Sequence, residues 1–510
     1  MVLEQGSEEG VSDVTDAQAV EEGEVSASNE AQTVEEGEVN ASSEAQTVEE
    51  GEVNESGEAN KDDESSIKFA IVGCSHGELD IIYDTLQKHE NDLNIKIDVL
   101  LCCGDFQAMR NSGDLAHFHC PVKYRRLGDF HKYYSGEKKA PCLTIFIGGN
   151  HESSAFSMEL PHGGWVAENI YYMGFASVVN FGGLRIGGWS GIFKQFDYNM
   201  NHYEMPPFEK GQQVSAYHVR AIEKFRLSLL SDKKPNCVDI FMTHDWPVGI
   251  TSYGNEAQLL RYKPYFRDDI ERNQLGNPQS QKLVHEIRPR YWFAGHLHCK
   301  FEATVNHEAD EKCEAESETK FLALHKCNRQ NMNHMFFDIR TITVDEPLSK
   351  ELRYDPKWLA ILRKTKTLEN VGKYLSKFPE NVEECVPTGK DIEEVEELFH
   401  GDYRIPLNFQ MTARPENVYE PTKDFFGAYY HVNPQTKEFC DKLDIPDLNR
   451  QLCQMNLNVV KYPYCFDEKS GEAAVDDNQI DLASDILFDD DEDSGDGFVI
   501  DTKPMSNWPN

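Results

Sequence analysis

Five short segments of this 510-residue chain carry residue types that bind divalent metals: Gly73-Cys74-Ser75-His76, Gly104-Asp105, Gly149-Asn150-His151-Glu152, Thr243-His244 and Gly295-His296-Leu297-His298. Together they offer thiolate, imidazole, carboxylate and amide-oxygen donors, enough for two adjacent cations. Such a pair is used to hydrolyse phosphate esters, because it acidifies a water and offsets charge on the phosphoryl group. Each segment alone means little. Gly-Asp after a strand is usually a turn, a single cysteine is usually a small core residue, and a glycine-flanked histidine is often loop chemistry. His296 and His298 are more informative, since imidazoles at i and i+2 of an extended segment point to one side. Coincidence becomes a poor account once all five occur in one consistent order, each after an apolar run.

Those runs predict the elements that hold the ligands. Ile67 to Gly73 is a short buried-strand pattern that empties into Cys74 and His76, after which Leu79, Ile82, Tyr83 and Leu86 recur at helical spacing. The runs Ile97 to Cys103, Cys142 to Ile147, Val238 to Met242 and Tyr291 to Ala294 end in the same way at the other four segments. Five strands thus deliver ligand-type residues at their carboxyl ends, where open α/β sheets place their sites. The expected architecture is a layered α/β sandwich with the site along one edge.

The formal charge of −39 is concentrated at the ends. Residues 1–66 hold 21 acids against one lysine, and residues 466–510 hold 14 against two, so the body between them is only mildly acidic. Both ends are poor in large apolar residues and are expected to be disordered, because they cannot bury enough surface to offset ordering entropy. The first repeats with a period of 14 at Ala17–Val25, Ala31–Val39 and Ala45–Val53, yet each unit carries a central glycine and too few apolar positions for a coiled-coil seam. No apolar stretch reaches the roughly 18 residues of a membrane span, so no membrane partner is expected, and the acidic start resembles neither a secretory nor a transit peptide. The 13 cysteines are scattered without a paired Cys-x-x-Cys framework, which points to thiols in a reducing compartment.

The order of the five motifs resembles that of the calcineurin-like metallophosphoesterases, and the details resemble one branch, the RNA lariat debranching enzymes. Cys74 stands where most of the superfamily has Asp. Gly188-Trp189-Ser190-Gly191-Ile192-Phe193 leads into an aromatic, His-containing stretch from Tyr198 to Phe208. The segments Thr319–Leu324, Lys326-Cys327, Tyr354–Leu362 and Asn433-Pro434-Gln435-Thr436 are similar to that family's carboxyl-terminal part. The likeness spans about 67–460.

The resemblance implies an αββα metallophosphoesterase sandwich over 67–345, an α-rich carboxyl-terminal accessory domain over 346–465, and disordered acidic tails at 1–66 and 466–510. It implies one metal on Cys74, His76, Asp105 and His298 and another on Asp105, Asn150, His244 and His296, with Asp105 bridging. A thiolate ligand softens the first site towards iron(II) or zinc(II), with manganese(II) accommodated by the harder ligands. His151 takes the role of general acid. Glu152 either orients His151 or caps the following helix, and the structural role is favoured. The substrate implied is branched (lariat) intron RNA, cleaved at its 2′–5′ phosphodiester. A recognition loop at 190–220 would stack unpaired bases on Tyr198, His202 and Tyr203, among other aromatics, with Lys194 and Lys210 meeting phosphates. That substrate places the protein in the nucleus, with cytoplasmic shuttling, and makes splicing factors the candidate protein partners, although the residues name none.

Two other readings remain open. A protein phosphatase of the same superfamily would follow Gly-Asp with Asp-Arg-Gly, whereas Gly104-Asp105 continues into Phe106-Gln107-Ala108. A non-catalytic RNA-processing scaffold would not be expected to keep His151 and every other ligand.

Overall fold

A computed structural model of the chain describes residues 65–455 apart from 207, 210, 232–236, 312, 329–334 and 421–430. Both acidic ends and Lys210 lie outside the described residues. Thirteen strands occur among the described residues. In chain order they are β1 (Ser66–Val72), β2 (Val99–Cys102), β3 (Leu143–Phe146), β4 (Gly164–Ala167), β5 (Ile170–Tyr172), β6 (Ala176–Phe181), β7 (Leu184–Trp189), β8 (Ile240–Thr243), β9 (Tyr291–Ala294), β10 (Phe301–His307), β11 (Ser317–Ala323), β12 (Phe337–Thr343) and β13 (Leu352–Tyr354). They form a six-stranded sheet of order β12-β1-β2-β3-β5-β4 and a seven-stranded sheet of order β10-β11-β9-β8-β7-β6-β13. β1, β2, β3 and β5 run parallel, as do β7, β8, β9 and β11.

Successive residues on a strand face opposite sides, and because both sides of each sheet are covered the parallel strands are mostly apolar, with β2 (VLLC) and β9 (YWFA) apolar along their whole length. Phe69, Ile71, Leu101 and Ile145 from the first sheet meet Ile186, Ile240, Met242 and Phe293 from the second in the central layer. The opposite faces carry helices. Ala70, Val72, Leu100 and Phe146 pack under Leu79, Ile82 and Leu86 of the helix Leu79–Leu93. Phe241, Trp292 and Phe321 pack under Leu227, Leu283, Val284 and Leu359. The four layers are those of an αββα sandwich. Truncating one large member of the central layer, such as Phe293→Ala, is expected to cost roughly 3–5 kcal/mol.

Residues beyond 345 are bonded into this frame. β13 pairs antiparallel with β6. Asp355 then caps the helix Pro356–Lys364 by accepting from Trp358 N at 2.9 Å, while its carboxylate also receives Arg185 Nε and Nη2 at 2.7 and 3.0 Å. Asn433 caps the helix Pro434–Leu443. Gln435 accepts from Trp165 N and donates to Trp165 O, both at 2.8 Å, which occupies the open edge of β4. No helix among the described residues is long and apolar enough to cross a membrane.

Candidate active site

The ligand-type residues lie in loops that leave the carboxyl ends of β1, β2, β3, β8 and β9. The backbone there is forced into uncommon shapes. His76, Asp105, Gln107, His296 and His298 all have left-handed φ, between 48° and 63°. Such geometry costs on the order of 1–3 kcal/mol per residue and persists only where surrounding structure imposes it. Here the loops lace each other. Ser75 N donates to Gly104 O at 3.2 Å, His76 N to Asp105 O at 2.7 Å, and Gly295 N to His244 O at 3.1 Å. Close approach also explains two glycines. A Cβ at Gly149 would lie 2.2 Å from Asp105 Oδ1, and one at Gly104, whose φ is +103°, would lie 2.3 Å from His244 Nδ1.

The result is two clusters that share one carboxylate. On one side the donor atoms of Cys74, His76, Asp105 and His298 all lie within 4.8 Å of one another. His76 Nε2 is 3.1 Å from His298 Nε2 and 3.6 Å from Asp105 Oδ2. On the other side His244 Nε2 is 3.3 Å from Asp105 Oδ1 and 3.1 Å from Asn150 Oδ1, and the His296 ring centroid is 5.0 Å from that of His244. Each oxygen of Asp105 therefore addresses one cluster.

This arrangement fits cations. His244 Nδ1 lies 2.7 Å from the Cys103 carbonyl and must donate to it, so Nε2 faces two acceptor oxygens; burial would lower this imidazole, but Asp105 raises it, and a metal ion at Nε2 would take the place of the proton drawn there. Acceptors converge so closely only around a proton or a metal ion. Asp105 Oδ2 is buried without a hydrogen-bond partner, an atom that a cation would satisfy. The electrostatics agree. Burial holds the imidazoles of His76, His296 and His298 down to about 4, 3 and 2, so all three are neutral donors at neutral pH. Burial would raise Asp105, but the imidazoles of His244, His151 and His76 outweigh it and keep the carboxyl well below its ordinary range. Burial, then Asp105, pushes the Cys74 thiol far up, so a soft cation beside it is what would hold the thiolate.

His151 sits beside this centre, half-buried, with its ring 5.8 Å from that of His76. Its backbone N–H donates to Asp105 Oδ1 at 2.9 Å, and Nδ1 lies 3.1 Å from the His119 carbonyl, to which it can only donate. Nε2 is thereby the nitrogen left for substrate. Glu152 does not take the favoured role of capping the helix Ser154–Glu159. Its carboxylate instead accepts from Phe106 N, Gln107 N and Gly149 N at 2.7, 2.7 and 3.0 Å and ties two ligand loops together. Burial and neighbouring Asp105 push it up to about 7 against those three donors.

The loop at 190–220 departs from expectation. His202 is buried, stacked on Phe175 at 3.7 Å, with Nε2 2.9 Å from Glu223 Oε1, so it is a packing residue and not a platform for a base. Tyr198 is half-buried and packs on Phe193 at 5.5 Å. Tyr203 is also half-buried, with Lys373 Nζ 5.2 Å from its ring. The open aromatic of this stretch is Phe196, 77% exposed, next to exposed Lys194. Sequence reasoning also missed His119, whose Nδ1 is 3.0 Å from Tyr217 Oη, and Gln107, whose Nε2 is 3.4 Å from His76 Nδ1. Single residues in loops carry no spacing signal that would have found them.

Comparison with known proteins accords with this geometry. The calcineurin-like phosphoesterase family model matches residues 67–300, and the model for the lariat debranching enzyme carboxyl-terminal domain matches 316–448. The lariat debranching enzyme of Caenorhabditis elegans is 43% identical over 461 residues, covering 88% of this chain and 89% of that protein. The human enzyme is 47% identical over 394 residues, covering 76% and 70%, and the Gallus gallus enzyme 46% over 395, covering 76% and 72%. The chain belongs to the lariat debranching enzymes, and its catalytic part is a calcineurin-like phosphoesterase.

Proposed function

We propose that this chain hydrolyses the 2′–5′ phosphodiester at the branch of excised intron lariat RNA, giving a linear RNA for turnover. The observation that carries the reading is the pair of donor clusters on the two oxygens of Asp105, in loops that also present His151. Divalent cations held there supply Lewis acidity and a nucleophile at neutral pH. Cys74, His76, Asp105 and His298 would hold one, and Asp105, Asn150, His244 and His296 the other. The buried thiol favours iron(II) or zinc(II) at the first position.

The chain's own residues account for the proton and the orientation. With Nδ1 committed to the His119 carbonyl, the His151 imidazolium carries its transferable proton at Nε2, where the leaving 2′-oxygen requires it. Glu152 keeps the Asp105 and Asn150 loops at a fixed separation. Phe196 and Lys194 offer a base platform and a phosphate contact on the 190–220 loop. The substrate implies work in the nucleus, with cytoplasmic shuttling.

Measuring bound metal together with cleavage of a synthetic branched RNA tests the reading. A debranching enzyme releases a linear product, a phosphatase spares the branch but cleaves a phosphopeptide, and a scaffold cleaves neither. Cys74→Asp restores an oxygen ligand and should raise preference for manganese or magnesium over iron and zinc. Unchanged metal selectivity would remove Cys74 from the ligand set.

A further inference from the structure

Among the described residues most cations are spoken for by nearby carboxylates, as in Arg110 with Asp114 and Glu159, Arg185 with Asp355, and Arg220 with Glu204. The run Arg261-Tyr262-Lys263-Pro264-Tyr265-Phe266-Arg267 is different. Among the described residues no carboxylate pairs with Arg261, Lys263 or Arg267, and both arginines are exposed. Tyr262 is 73% exposed and Tyr265 66%.

Leaving two large rings in water is costly unless something covers them. The segment is nonetheless anchored. Leu259 and Phe266 are buried in the helix layer of the second sheet, and Tyr265 stands edge-on to Phe266 at 4.9 Å. Lys263 Nζ lies 5.8 Å from the Tyr265 ring. Acids resume only at Asp268 and Asp269, in the first turn of the helix Arg267–Glu271, beside its positive end.

The segment also lies next to the metal-ligand loops. Gly254, just ahead of the helix Glu256–Tyr262, forms a bridge with Ala303 of β10, the strand that follows His298. Cys299, next to His298, lies in the same apolar cluster as Leu259 and Phe266. Exposed rings interleaved with unpaired cations are the chemistry that binds single-stranded nucleic acid, the rings stacking bases while the cations track phosphates. A branched RNA brings three strands to one point, so a debranching site needs places for strand beyond the scissile bond.

We propose that Arg261–Arg267 is a single-strand RNA platform that holds one arm of the branched substrate beside the His298 side of the site, with bases on Tyr262 and Tyr265 and phosphates on Arg261, Lys263 and Arg267. The inference rests on the debranching reading for the identity of the RNA, but not for the binding itself.

The test uses the full-length, metal-loaded protein and two variants, Tyr262→Ala/Tyr265→Ala and Arg261→Ala/Lys263→Ala/Arg267→Ala, each checked for an unchanged melting curve. An unbranched single-stranded decanucleotide is titrated by fluorescence anisotropy. Two branched RNAs are then cleaved, one a bare branch trinucleotide and one with ten-nucleotide arms. Losing two stacked bases should weaken decanucleotide binding at least ~10-fold, and losing three phosphate contacts should flatten the salt dependence of log K by about 2. KM for the long-armed substrate should rise by a similar factor while kcat and cleavage of the bare branch stay at wild-type values. Unchanged binding and unchanged KM in both variants overturn the platform. An equal loss on the bare branch also overturns it, because the residues would then act at the branch and not on an arm. If wild-type protein cleaves neither branched RNA yet binds the decanucleotide through these residues, the debranching reading fails and the platform stands.

Discussion

The ligand loops and the 190–220 loop lie side by side and use the same residue types, yet they treat polar groups in opposite ways. Around Asp105, acceptors face acceptors and the buried Oδ2 lacks a partner. In the 190–220 loop, polar groups complete one another. Arg220 and Glu204, both fully buried, meet at 2.7 Å, Ser215 Oγ donates to the same carboxylate at 2.5 Å, and His218 Nδ1 is 2.6 Å from Asp197 Oδ2. His202 Nδ1 is the one buried side-chain polar atom of the described loop residues without a partner. A site built for an outside ion leaves its polar groups unmatched, whereas a scaffold matches them internally. The contrast separates chemistry from support where residue identity does not.

The comparison predicts graded effects. Asp105→Ala, which removes the shared carboxylate, should eliminate measurable turnover of branched RNA and bound metal while circular dichroism stays native, and Asn150→Ala and His296→Ala should follow it. Wild-type turnover by any two of the three would break the assignment. His151→Ala should retain metal but lose roughly 10²–10⁴-fold in kcat, with a smaller loss on a substrate whose leaving group needs no proton. Equal losses on both substrates would make His151 another member of the scaffold.

In the scaffold region, Arg220→Met strands the buried Glu204 charge and should cost about 3–5 kcal/mol of stability. Denaturant unfolding measures it, and an inactive variant of undiminished stability would erase the distinction between the regions. The shallowest effect, read per pH unit, is the pH response. Burial depresses His218 to about 4 and His431 to about 3, below the unfolded value of about 6.5. The unfolded chain therefore binds the protons first. Stability is fully present above pH ~6.5 and should fall by up to roughly 1.4 kcal/mol per pH unit per imidazole as pH drops towards 4. His218→Gln should flatten that slope in metal-free protein, and an unaltered slope would show that His218 is not a contributor.

The ligand centre was legible because strands announce themselves locally. The run Ile97 to Cys103 became Val99–Cys102 and Tyr291 to Ala294 is β9 unchanged, so residues just past each run had to share one end of the sheets. What could not be read was which side chains turn inward. Tyr198, His202 and Tyr203 resemble platform residues by type, but burial of His202 depends on Phe175 and Glu223, partners at other points in the chain. The role of Glu152 was half-legible for the same reason, since two of its three donors come from the Phe106-Gln107 loop. The exposed tyrosines at 262 and 265 carried no motif, and only their unpaired cations and lack of cover single them out.

The way the carboxyl-terminal segments fasten onto the frame bears on how the protein is made. β1 pairs with β12 along its whole length, from Ser66 opposite Thr343 to Val72 opposite Phe337. Arg110, a few residues past the Asp105 loop, reaches Glu159 at 2.8 Å and Thr412 at 2.9 Å. A nascent chain that has emerged only as far as the last metal ligand still lacks the partner strand of β1, the Thr412 hydroxyl and the cover over β4. Loops must close across hundreds of residues before those contacts form, which slows folding and leaves strand edges open meanwhile. The catalytic loops are therefore translated early and secured late, and a ribosome that stalls between residues 298 and 337 would release a protein with every ligand present and its first sheet unfinished.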